Sequence, residues 1–208
     1  MKIGPLSRGG RSRNRIKALD HDFQPEAVLV PLGILEIARG DEALSQLNVL
    51  FGQSRETSDF LVDGLERWWQ HRAVAHPGVT KLQILLDNGP EVSSSRTQFL
   101  KRLVDFVDAS GLEIELVYYP PYHSKYNPVE RSWGVLEEHW NGALLDSIET
   151  ALNWAKTMTW HHIHPIVEFM EQSYEAGVTI AKKLFSGIAA RLDRHATLPK
   201  WSLLIRPT

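Results

Sequence analysis

Residues 81–119 read KLQILLDNGPEVSSSRTQFLKRLVDFVDASGLEIELVYY, and they specify the architecture of this chain more than any other segment. An apolar run ends abruptly at Asp87, and a helical period of apolar residues follows from Phe99 to Val107. Serines precede this helix as candidate caps, and Gly111 is a typical stop signal after it. Residues 112–119 then alternate as a strand does. A strand, a helix and a second strand in this order predict parallel neighbours in an α/β sheet.

Two apolar runs precede this segment, AVLVPLGILEI at 27–37 and LNVLFGQS at 47–54. Both predict strands that pair antiparallel, and Pro31 is a candidate interruption of the first. An amphipathic helix is expected next, with Thr57 or Ser58 as its N-cap.

Beyond the second strand of the crossover, a helix is predicted to begin at Pro128 with Asn127 as its N-cap. Residues 146–158 and roughly 165–193 are predicted to be helical, whereas TLPKWSLLI at 197–205 predicts a strand or a docked tail. The tryptophans at helical spacing favour core packing over base stacking.

The composition suits one compact domain, with 208 residues of which 43% are hydrophobic and 23% charged. The absence of cysteine excludes a disulfide framework and any thiolate metal site. No apolar run approaches the roughly 18 residues of a membrane span, and the first residues lack the apolar centre of a signal peptide. We therefore expect no membrane association, and a cytoplasmic location is the default.

The chain has a net charge of −2, but its residues 1–19 form a basic segment. Its cations are Lys2, Arg8, Arg11, Arg13, Arg15 and Lys17, all before the first acidic residue. Such a segment can contact nucleic-acid phosphates through counterion release, and it is equally typical of a solvated hairpin or tail.

Two carboxylates, Asp87 and Glu130, lie at positions where catalytic or ligand-binding groups are common, and each also has an ordinary structural explanation. Asp87 ends an apolar strand, which is where ligands gather in α/β sheets, but Asp-Asn-Gly is also a strong turn sequence. Glu130 follows Asn127 with the spacing of a capping box. If the two converge at one sheet edge, oxygen ligands without cysteine suit Mg²⁺ or Mn²⁺. Two such ions can support phosphodiester cleavage, which normally requires about three carboxylates.

The segments LQILLDNGPEVSS (82–94) and ELVYYPPYHSKYNPVERSWGVLEEHWNG (115–142) resemble the DDE transposases of bacterial insertion sequences, of the ISAzo type and more distantly mariner-like. The resemblance extends from KIGPLSRGG to the closing LPKW. It implies that Asp87 is the second catalytic acid and Glu130 the third, with Mg²⁺ or Mn²⁺ as the cofactor. It also implies an RNase H-like fold, in which antiparallel first strands and then parallel ones form a mixed sheet flanked by helices.

One feature is expected to depart from the family pattern, in which the first catalytic Asp lies on a first sheet strand: we expect that strand, and the upstream DNA-binding domain, to be missing from this chain. We therefore expect an N-terminally truncated chain that is inactive as written. Asp20 and Asp22 are candidate substitutes, but they follow a basic turn instead of ending an apolar strand.

The leading prediction is a single RNase H-like catalytic domain over residues 1–208, with the basic segment 1–19 and a helical part at 146–208. Its function would be DNA cleavage and strand transfer at insertion-sequence ends, on double-stranded DNA, and relatives suggest a homodimer. The alternatives are a non-catalytic DNA-binding transposase remnant and an RNase H-like repair or structure-specific nuclease.

Weaker signals surround these acids. Lys125 is a candidate phosphate contact, and the candidate supporting residues are Asn88, His123 and Asn127. The WHHIHP segment at 160–165 does not match a recognised zinc-ligand spacing, so metal binding there is disfavoured.

Overall fold

The structure is a computed structural model that describes residues 1–5, 7, 9, 27–38, 41–120, 123 and 126–208. The helices are α1 (Ser58–Arg72), α2 (Thr97–Ser110), α3 (Pro128–His139), α4 (Ile148–Thr157) and α5 (Lys182–Ala189), and a 3₁₀ turn spans Ala73–Ala75. The strands are β1 (Lys2–Ile3), β2 (Ala27–Val28), β3 (Val30–Ala38), β4 (Asp41–Gly52), β5 (Lys81–Leu86), β6 (Glu113–Tyr118), β7 (Ile166–Met170), β8 (Leu192–Arg194) and β9 (Ser202–Ile205).

Within the described residues, the strands form three sheets, with the orders β1-β2, β3-β4-β7 and β5-β6-β9-β8. Antiparallel pairing joins β1 to β2, β3 to β4, and β9 to both β6 and β8. Parallel pairing joins β4 to β7 and β5 to β6. The chain is therefore an α/β protein with mixed sheets flanked by helices, which is consistent with an RNase H-like fold and confirms the predicted fold class.

The chain divides into two compact units. The first unit comprises Met1–Arg55 and Pro128–Ser173, and the second comprises Glu56–Asn127 and Tyr174–Thr208. Each unit has a hydrophobic core of its own. The single domain expected over residues 1–208 stays a prediction.

The second unit contains the predicted crossover. The parallel register runs from Lys81 opposite Glu113 to Leu86 opposite Tyr118, as expected for two strands joined through a helix. Gly111 ends α2 with a φ of 70°, the left-handed conformation that glycine adopts without a Cβ penalty.

The helix starts of this unit follow the sequence signals in part. The Thr57 hydroxyl accepts a hydrogen bond from the Phe60 N–H at 3.1 Å, so Thr57 is the N-cap of α1. The expected serine cap of α2 is wrong, because Arg96 occupies the N-cap position and provides no side-chain bond there.

The first unit confirms the antiparallel pair β3–β4 and the start of α3 at Pro128. Pro31 lies inside β3 and does not interrupt it. In the described part of the chain β3 is an edge strand, where a missing N–H is tolerated.

The expected helical part at 146–208 is helical over α4 and α5, but strands also form within it. Residues 166–170, within the predicted helix at 165–193, form β7, which pairs in parallel with β4. A short apolar run such as IVEFM fits a strand as well as a helix turn, and here the pairing with β4 favours the strand. Of the strand or docked tail predicted at 197–205, the structure shows a strand over Ser202–Ile205, β9.

The predicted packing of the tryptophans is also confirmed. Trp68 and Trp140 are buried, and Trp69 and Trp133 pack against the two cores while partly buried. Among the described residues, the structure contains no helix that combines the length and apolar character of a membrane span.

Candidate active site

Asp87 follows β5 directly, so its carboxylate lies at the carboxyl end of a strand. The residue is exposed, and its Oδ1 accepts a hydrogen bond from the Gly89 N–H at 3.3 Å. This is the Asx-turn that the Asp-Asn-Gly sequence predicts. The turn orients the carboxylate and leaves it accessible to solvent.

Glu91 connects the loop after Asp87 to the start of α1. Its Oε2 accepts hydrogen bonds from the Ser58 N–H at 3.1 Å and the Arg96 guanidinium at 3.2 Å, and lies 3.0 Å from the Ser58 hydroxyl. The same hydroxyl lies 2.8 Å from the Glu91 carbonyl oxygen. Ser58 is the first residue of α1, so Glu91 satisfies an N–H that has no partner within the helix.

Two further side chains hold the same loop through its carbonyl groups. The Tyr118 hydroxyl, at the end of β6, donates to the Val92 carbonyl at 2.7 Å. The Arg194 guanidinium on β8 donates to the Ser94 carbonyl at 2.7 Å. Burial raises the pKa of the Tyr118 phenol, so it stays a hydrogen-bond donor at neutral pH.

Glu56 is an acidic residue near Asp87 that sequence reasoning missed. Partial burial raises the pKa of the Glu56 carboxyl, and the negative charges of Asp87 and Glu91 raise it further. Glu56 just precedes α1 and is distant in sequence from β5, so no local pattern signals the proximity.

Glu130 lies in the first turn of α3 and is exposed. A close approach of α3 to β3 fixes this helix, because a Cβ built on Gly33 would lie 2.7 Å from Val129 Cγ1 and 2.8 Å from Trp133 Cζ2. A larger residue at that point of β3 would require the helix or these two side chains to move. The capping-box role of Glu130 stays a prediction.

The supporting residues predicted from the sequence are placed near the acids in the chain. Asn88 is exposed beside Asp87, and Asn127 directly precedes α3. The His123 ring stacks on Tyr126, with centroids 5.7 Å apart. Their functional roles stay predictions.

The sequence-predicted acids belong to different units, Asp87 to the second and Glu130 to the first. Asn88, His123 and Asn127 belong to the second unit with Asp87. Throughout the described ranges, no three His, Asp or Glu side chains are grouped so that they could hold a metal ion.

Several predicted residues lie outside the described part of the chain. These are the candidate phosphate contacts Arg8, Arg11, Arg13, Arg15, Lys17 and Lys125, and the candidate substitute acids Asp20 and Asp22.

The histidines of the WHHIHP segment form a tight turn. Trp160 and Ile163 exchange backbone hydrogen bonds of 2.8 and 2.9 Å, with His161 at φ 48° and His162 at φ 67° between them. Two central residues at positive φ define a type I′ turn, which asparagine and glycine usually occupy. His164 makes a different contact, since its Nδ1 lies 2.8 Å from the Met158 carbonyl oxygen.

A comparison with known families matches residues 1–207 to a family model described as the Rhodopirellula transposase DDE domain. No match was found among curated proteins or among solved structures.

Proposed function

The chain belongs to the transposase DDE domain family described from Rhodopirellula, and from this membership we propose that it is the catalytic core of a bacterial insertion-sequence transposase. The proposed reaction is metal-dependent hydrolysis at the element ends, followed by attack of the freed 3′-OH on target DNA. The observation that carries the proposal is the family match over residues 1–207.

Asp87 and Glu130 are the proposed catalytic acids and the proposed ligands of Mg²⁺ or Mn²⁺. Both are exposed carboxylates, and carboxylate oxygens are the donors that these hard cations prefer. When bound, such ions supply activation of the attacking water and stabilisation of the leaving oxygen. The position of Asp87 at the end of β5 supports this role, because catalytic groups gather at the carboxyl ends of strands in α/β sheets.

Double-stranded DNA in the cytoplasm is the proposed partner. The basic segment 1–19 and Lys125 are proposed to bind DNA phosphates, with charge supplied by arginine and lysine side chains. Replacing one phosphate-binding cation by a neutral residue should reduce the slope of log affinity against log salt by about 0.9. Fluorescence anisotropy of a labelled duplex over a salt series measures this slope.

A non-catalytic DNA-binding remnant is the second candidate. It is favoured by one observation, that the motifs in the sequence assign two catalytic acids, Asp87 and Glu130. Cleavage by two clamped ions normally uses about three carboxylates.

The experiment that separates the two candidates is nicking of a supercoiled plasmid that carries the DNA flanking this gene, in Mg²⁺ or Mn²⁺. A transposase core that is active as written should nick the plasmid, and Asp87→Asn and Glu130→Gln should each abolish nicking; this result would overturn the expectation of an inactive chain. The matched controls are Asp193→Asn in the second unit and Glu138→Gln on α3, both exposed acids that should leave nicking intact. Salt-sensitive DNA binding without metal-dependent nicking would establish the remnant instead.

A further inference from the structure

The loop of residues 87–96 between β5 and α2 has little regular structure but many fixed points. Its backbone forms two consecutive turns, the Asx-turn from Asp87 to Gly89 and a second turn in which the Val92 N–H donates to the Gly89 carbonyl at 3.2 Å. A further hydrogen bond joins the Arg96 N–H to the Ser93 carbonyl at 2.9 Å. The loop is therefore a chain of hydrogen-bonded turns that begins at the predicted catalytic acid.

Glu91 is a side-chain anchor of this loop, because its carboxylate is bonded on two sides. On one side are the N–H and hydroxyl of Ser58 at the start of α1, where the helix dipole stabilises a negative charge. On the other side is Arg96, an ion pair in which both side chains are about three-quarters buried, with 22% and 26% exposed. The Arg96 Nε also lies 3.4 Å from the Ser58 hydroxyl, which closes the network.

The same contacts give different roles to the carboxylates of Asp87 and Glu91, which lie four positions apart in the sequence. The negative charge of Glu91 is compensated by the Arg96 guanidinium and by the N-terminus of α1, so the Glu91 carboxylate is bonded to groups of the protein itself. Asp87 is exposed and accepts a bond from its own turn. The two turns that connect Glu91 with Asp87 share Gly89, whose N–H donates to Asp87 and whose carbonyl accepts from the Val92 N–H.

We propose that Glu91 is a positioning residue, which fixes the Asp87 carboxylate for a divalent cation by joining its loop to Ser58 and Arg96. This inference rests on the proposed function, since the cation is the one that Asp87 is proposed to bind. Groups that orient a metal ligand through hydrogen bonds typically contribute about 10- to 100-fold to metal affinity.

The test compares Glu91→Ala and Glu91→Gln with Glu66→Ala in the full chain. Glu66 is the matched control because it, like Glu91, pairs with an arginine: it lies on α1, 3.3 Å from the Arg102 guanidinium on α2. Hydrogen exchange at the Gly89 and Val92 amides, followed by NMR, measures the stability of the loop's hydrogen bonds. Titration with Mn²⁺ measures the cation affinity of the Asp87 site.

Glu91→Ala should accelerate exchange at both amides about tenfold, as expected when a charged hydrogen bond is removed, and should weaken Mn²⁺ binding about tenfold. Glu91→Gln keeps an acceptor for the Ser58 N–H, so it should fall between the native chain and Glu91→Ala. Glu66→Ala should change neither measurement. The Gln variant also provides a measurement if the Ala variant does not fold.

Native exchange at Gly89 and Val92 in both Glu91 variants would overturn the inference. Native Mn²⁺ affinity in Glu91→Ala, with binding lost in Asp87→Asn, would overturn it while leaving the proposed function intact. If the unaltered chain binds no Mn²⁺, the proposed function fails, and with it the cation that Glu91 is proposed to serve.

Discussion

Gly33 of β3 lies against Val129 and Trp133 of α3, so Gly33→Ala tests how the helix that carries Glu130 is held. The added Cβ would lie 2.7 Å from Val129 Cγ1 and 2.8 Å from Trp133 Cζ2. Carbon atoms pack at about 3.5–4.0 Å, so the helix must move or the two side chains must leave their positions.

Overpacking of this kind costs about 1–3 kcal/mol. Replacing glycine by alanine within a strand returns about 0.5–1 kcal/mol of backbone entropy, so the net loss should be about 1–2 kcal/mol. For a chain of 208 residues, that loss lowers Tm by about 2–8 °C. Urea denaturation followed by circular dichroism gives the free energy of unfolding directly.

Gly134 provides the matched control on the other side of the same contact. It lies within α3, and a Cβ there would meet no atom within 4 Å. Gly134→Ala should therefore stabilise the chain by about 1 kcal/mol through helix propensity. Val129→Ala in the Gly33→Ala background should restore part of the loss, because it removes the nearest methyl group.

The reasoning would be refuted by a Gly33→Ala chain as stable as the native one. It would also be refuted if Val129→Ala added its full cost in the Gly33→Ala background, since independent costs mean that the two residues do not contact each other.

Two further substitutions test the charge around Asp87 and the strain in the histidine turn. The folded-state pKa of Glu56 is raised above its ordinary value of 4.5, so the folded chain binds protons more tightly and loses stability as pH rises through that pKa. Glu56→Gln should therefore raise Tm at pH 7.5 and have little effect at pH 4, and an equal shift at both pH values in thermal melts would contradict the assignment. His162→Gly should stabilise the chain by about 0.5 kcal/mol, because glycine adopts the φ of 67° without a Cβ penalty. His162→Ala keeps the strain and should bring no such gain in urea denaturation, so equal gains in both variants would rule out backbone strain as the cause.

The elements that were predicted correctly depend on neighbours in sequence. The strand–helix–strand crossover follows from a change of apolar period within 81–119, and the stop at Gly111 follows from local backbone geometry. The start of α3 at Pro128 is a similar case, since proline fits the first helical position. The turn at Asp87 is set by its own side chain and an N–H two residues away.

The elements that were missed depend on partners far away in the chain. IVEFM at 166–170 became a strand because β4 offers a parallel edge, and no periodicity in five residues contains that information. The negative charge of Asp87 acts on the Glu56 carboxyl, and the Glu91 carboxylate accepts a hydrogen bond from the Ser58 N–H. Both interactions exist because packing brings the start of α1 to the end of β5. Sequence identified a carboxylate at a strand end because side-chain patterns are local. Tertiary structure alone assigned the residues that hold and surround it, because hydrogen bonds and charges act between neighbours in space.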